Sequence, residues 1–76
     1  MLILVRRIPS RVSERDLHRT FAAFGRVLAV RPIRNRESLI EMANRWQGQR
    51  AIANLRRSWA VEQRETQADY SDFARG

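Results

Sequence analysis

The stretch Pro9 to Arg31, PSRVSERDLHRTFAAFGRVLAVR, holds a helix start, an apolar helical face, a glycine stop and a strand in unbroken order. Ser13 stands where a cap is needed, and Asp16, three residues on, can return the cap in a reciprocal box. Val12 before the cap and Leu17 inside the helix are spaced for a hydrophobic staple. Leu17, Phe21 and Phe24 then recur at intervals of four and three, which places them on one helical face. Gly25 follows as the stop. Arg26 to Ile33, with Val27, Leu28, Val30 and Ile33 as apolar members, reads as a strand.

Outward from that stretch the pattern continues. Leu2 to Val5 form an apolar run of β-formers, and Pro9 bounds the strand they make. Arg34-Asn35-Arg36 is a short polar connection with a turn-tolerant Asn, and Ser38 to Met42 is the strand beyond it, so the two strands form a hairpin. Asn44 caps a second helix, Arg45 to Leu55, whose inward face carries Ala51, Ile52 and Leu55. Gly48 weakens that helix by about 1 kcal/mol relative to alanine. Trp59 to Gln63 reads as a short fourth strand through Trp59 and Val61. The expected organisation is one domain over residues 1–64 and a polar, flexible tail over 65–76, in which Tyr70 and Phe73 are the aromatics. The order strand, helix, strand, strand, helix, strand predicts an α+β, ferredoxin-like βαββαβ sandwich. Its four-stranded antiparallel sheet carries both helices on one face. The open face is where function is to be sought.

The 76 residues include 15 basic and 8 acidic side chains, a formal charge of +7 and a pI near 11.7. Every basic residue is Arg, the side chain best suited to bidentate phosphate contact and to stacking on bases. Such a pI is the usual electrostatic footprint of a nucleic-acid partner, the alternatives being an acidic protein surface or an anionic membrane. The absence of cysteine excludes disulfides, thiolate metal sites and a cysteine nucleophile. A single histidine, His18, on the polar side of the first helix, argues against a histidine metal site or a catalytic triad. No cofactor and no metal are expected. No run approaches the roughly 18 apolar residues of a membrane span. The opening MLILVRRIP is too short for a signal peptide. An intracellular setting is therefore expected, cytoplasmic or, in a eukaryote, nuclear.

Pro9 to Arg31 and the segment LIEMANRWQGQRAIANL together resemble an RNA recognition motif domain, over about residues 2 to 63. The resemblance implies single-stranded RNA bound on the open sheet face. The family's first-strand hexamer falls on Ile3 to Ile8, with Leu4 where a base-stacking aromatic would stand. Its third-strand octamer falls on Asn35 to Met42, with Glu37 and Leu39 at the two aromatic positions and Arg36 in place of glycine. Stacking is worth roughly 1–3 kcal/mol per base, so a different affinity is needed. Strand alternation places Leu4, Arg6, Leu39 and Glu41 on the open face, Arg31 and Ile33 beside them, and Ile3, Val5, Ile40 and Met42 in the core.

The candidate RNA-binding residues are accordingly Arg6, Arg7, Arg31, Arg34 and Arg36 for phosphates or stacking, and Leu4, Ile33 and Leu39 as an apolar floor for bases. If about four phosphates are neutralised, the log–log salt slope is near −3 for a single strand. The alternative is a protein-interaction module, through the apolar sheet face or through Arg57 and Trp59, which weakly resemble the Arg-x-Phe loop of a protein-binding subgroup of the family. Trp46, on the outer side of the second helix, is a further candidate for a protein partner. An acylphosphatase shares the strand order but needs a glycine in its anion-cradling loop, and Arg7 to Ser13 has none. The chain is not expected to be an enzyme.

Overall fold

The computed structural model describes residues 1–64 of the chain. The expected tail, with Tyr70 and Phe73, lies outside the described residues. Six elements follow in the order β1 (Leu2–Arg6), α1 (Glu14–Ala22), β2 (Val27–Arg34), β3 (Glu37–Met42), α2 (Arg45–Leu55) and β4 (Ala60–Arg64). The strands form one antiparallel sheet in the order β2-β3-β1-β4. This is the βαββαβ ferredoxin-like arrangement. Among the described residues no helix is long and apolar enough to cross a membrane.

Both helix starts form as local chemistry requires. The Asp16 N–H donates to Ser13 Oγ at 3.1 Å and the Ser13 N–H donates to Asp16 Oδ2 at 3.0 Å, closing the capping box. The backbone and hydroxyl hydrogen bonds from Ser13 hold the Asp16 carboxyl below its ordinary value of 3.8. At α2 the Gln47 N–H donates to Asn44 Oδ1 at 3.1 Å.

The core lies between the sheet and the helices. Ile3 and Val5 of β1 and Ile40 and Met42 of β3 meet Leu17 and Phe21 of α1 and Ala51 of α2, all buried. Val12, Phe24, Ile52, Leu55 and Trp59 pack around them. Each large apolar side chain buried this way contributes roughly 1.5–3 kcal/mol.

Four local expectations need correction. Helix α1 ends at Ala22 with Ala23 as its cap, and Gly25 has no positive φ. A Cβ at Gly25 would instead collide with the Gln47 side chain of α2, so this glycine permits a close approach between elements. In the hairpin the left-handed residue is Arg36 (φ 64), not Asn35. Gly48, read as a weak point, is buried against the Met1 side chain, which occupies the space a Cβ would take. Finally, Trp59 precedes β4 rather than opening it. Its N–H donates to Leu55 O at 2.8 Å.

Candidate nucleic-acid interface

The registers define the sheet face opposite the helices. Arg31 pairs with Leu39, Leu39 with Leu4 and Leu4 with Glu62, one row crossing all four strands. A second row runs through Ala29, Glu41, Leu2 and Arg64. At the far end of the sheet Arg6 pairs with Ala60 and Arg34 with Glu37. An irregularity between Pro32 and Arg34 brings both Ile33 and Arg34 to this side of β2.

The expected apolar floor is where alternation put it, but it is not exposed. Leu4 is 1% and Leu39 2% accessible, and with Leu2 they form a second small core against which Ile33 packs. Leu2, Leu4, Leu39 and Ile33 come together across three adjacent strands, a contact that alternation within one strand does not reveal.

The arginines rim that apolar row, and most are engaged. Arg6 Nε lies 3.8 Å from Glu62 Oε1, and Arg64 Nη2 donates to the same oxygen at 3.1 Å. Arg31 Nη2 lies 3.7 Å from Glu41 Oε1 and Arg34 Nε 3.5 Å from Glu37 Oε1. Four arginines thus face three glutamates, which leaves a single net positive charge on these rows. Glu62 is the member the sequence reading did not anticipate. Its partnership depends on the β1–β4 register, although its place two residues after Ala60 on an alternating strand was the available signal.

Arg36 has a structural task. Its Nε donates to Ile8 O at 2.9 Å, and the Ile8 N–H donates to Arg36 O at 2.9 Å. The two bonds clamp the exit of β1 to the tip of the β2–β3 hairpin. Beside the clamp lies an open cleft of about 440 Å³, lined by Arg34 and Arg36 but also by Glu14 and Glu37, so its charge is mixed. Arg7, on the β1 side of the clamp, is exposed and left-handed (φ 55).

Of the residues considered for a protein partner, Trp59 packs against the main core. Arg57 is exposed beside it. Trp46 stands in the first turn of α2. It is 68% exposed, with the Arg50 guanidinium 5.8 Å from its ring centre. Among the described residues no group of acidic or histidine side chains is arranged to hold a metal.

The geometry matches known proteins. A family profile described as RNA recognition motif matches residues 3–65. Nine chains of solved structures match. One, the crystal structure of RNA binding protein PG1, superposes with a TM-score of 0.76 at 26% identity, covering 87% of this chain and 99% of that one. No curated protein matches the chain.

Proposed function

Because the chain belongs to the RNA recognition motif family, a family of non-enzymatic RNA-binding domains, we propose that it is an RNA-binding domain that takes single-stranded RNA across the outer face of its sheet. The reading rests on one observation above the others. The row Arg31, Leu39, Leu4, Glu62 occupies the family's binding face and is rimmed by arginines, with no aromatic at a stacking position. Guanidinium groups at Arg6, Arg31 and Arg34 contact phosphates or stack on bases. Phosphate contacts carry no sequence information by themselves, so specificity is low. Leu4 and Leu39 hold the rim in place rather than meeting bases directly.

Charge pairing tempers the electrostatics. With each arginine of this face paired to a glutamate, the log–log salt slope falls short of the roughly −3 that four unpaired arginines would give. The protein partner considered above is the second reading. Its sheet-face version has little accessible apolar surface to use, and Trp46 is the observation that still favours it.

The test is an amide chemical-shift titration with short mixed-sequence single-stranded RNA at about 150 mM salt, where charges are screened beyond about 8 Å. Saturable shifts at Leu4, Arg6, Arg31 and Leu39 are expected. Diffuse shifts abolished by modest added salt would show attraction to overall charge alone, and would turn attention to a protein partner at Trp46.

A further inference from the structure

A second basic feature lies beyond the end of the β1–β4 ladder. Arg7, Arg56, Arg57, Ser58, Trp59 and Ala60 line a concavity of about 320 Å³. Among the described residues no carboxylate lines it. Nor do Arg7, Arg56 and Arg57 have an ion-pair partner among them, in contrast to the arginines of the sheet rim.

The three side chains have no evident structural duty. Arginines after a helix often cap its last carbonyls. Here two of those carbonyls are already taken by backbone donors: the Arg56 N–H donates to Ile52 O at 3.0 Å, and the Ser58 and Trp59 N–H groups donate to Leu55 O at 2.9 and 2.8 Å. Arg7 holds a left-handed backbone that is unfavourable for a residue with a Cβ. Three like charges around one hollow repel one another, and an anion between them relieves that repulsion.

We propose that this concavity is a phosphate-binding site that takes a backbone phosphate of the RNA as the strand leaves the sheet. The proposal rests on the reading above and extends it. Arg6 is the last rim residue on β1, it pairs with Ala60, and Ala60 and Arg7 both line the hollow. A strand passing Arg6 therefore reaches, one residue further on, guanidinium groups that have no ion-pair partner among the described residues. Arg56 and Arg57 supply the planar donor forks that match phosphate oxygens, and the Ser58 hydroxyl adds a donor. Ionic affinity thus sits past the edge of the sheet, while the sheet itself is nearly charge-balanced.

The experiment compares the wild-type chain with Arg56→Ala/Arg57→Ala, using labelled protein, an eight-nucleotide single-stranded RNA and, separately, inorganic phosphate. With RNA, the Arg7, Ser58 and Trp59 amides and the Trp59 indole shift saturably together with Arg6 and Arg31. The double variant loses the first set, keeps the second, and flattens the salt slope by about 0.7, the value for one single-strand phosphate contact. The Arg56→Lys/Arg57→Lys variant restores most of the slope, which separates charge from any change in folding. Shifts confined to the sheet, with the slope unchanged in the alanine variant, would overturn the inference and leave the sheet reading intact. Shifts at the hollow alone would overturn the sheet reading and, with it, the path from sheet to hollow. Inorganic phosphate shifting these residues where RNA does not would overturn the assignment to RNA. No RNA binding at all would overturn both.

Discussion

Replacing Glu41 and Glu62 by glutamine tests whether ion pairs on the sheet restrain RNA binding. Glu41 engages Arg31, while Glu62 engages both Arg6 and Arg64. Removing the two carboxylates frees cations from competition and deletes two negative charges from the surface that RNA crosses. A carboxylate about 8 Å from a phosphate costs about 0.5 kcal/mol in a water-like dielectric. Two cost about 1 kcal/mol, so the double variant should bind about fivefold more tightly at low salt. If each substitution adds one neutralised phosphate, the log–log slope steepens by up to about 1.4. The stability loss should be small, because exposed ion pairs are worth about 0–1 kcal/mol each. Fluorescence anisotropy of a labelled eight-nucleotide RNA, from about 50 to 300 mM salt, measures both quantities. An unchanged affinity and slope would mean that RNA does not cross this face. Weaker binding would mean that the carboxylates contact the ligand themselves, as acceptors for base amino groups, and the restraint argument would be refuted.

Leu4→Ala should cost about 2–5 kcal/mol by chemical denaturation, because the side chain is buried within a second core. A loss under about 0.5 kcal/mol, as for an ordinary surface site, would contradict that burial. Ser13→Ala should lose about 1 kcal/mol by removing the cap of α1. Because the folded Asp16 carboxyl titrates below its ordinary 3.8, its contribution is fully present above that pH and fades as pH falls through the lowered folded value. Asp16→Asn should therefore reduce the fall in melting temperature between pH 5 and pH 2, and an unchanged acid profile would count against the box.

What was legible in the sequence is what depends on neighbours along the chain. Ser13 with Asp16, and Asn44 with Gln47, act across a single turn, so both helix starts stand where their residues point. Alternation sorted Ile3, Val5, Ile40 and Met42 from Leu4 and Leu39 correctly, because side-chain period is a local property. Most of the misreadings involve partners distant in sequence; the start of β4 is an exception, since Trp59 is held by Leu55 four residues before it. Gly25 reads from sequence as a local stop, whereas its Cβ-free surface meets Gln47 on another element. Asn35 has the usual turn chemistry, yet the left-handed backbone falls on Arg36, which the clamp to Ile8 secures. Arg6 reads from sequence as available charge because Glu62 joins it only through the pairing of the first and last strands, whereas Arg31–Glu41 and Arg34–Glu37 are nearer pairings across the hairpin. Arg56 escaped notice as a site residue for the same reason. Its meaning comes from Arg7, which is far from it in the chain and shares the same hollow.

The position of β1 between β3 and β4 also bears on how the chain is made. Leu2 to Val5, four apolar residues in a row, emerge from the ribosome well before either strand that will flank them. While they wait, α1 and the β2–β3 hairpin can form from local contacts, but β1 keeps at least one bare edge until Ala60–Arg64 arrives. Translation of this domain therefore carries an interval in which its stickiest strand is unpaired and open to capture by a chaperone or by another nascent chain. Completion of β4 closes that interval, so the timing of synthesis after Leu55 sets how long the exposure lasts.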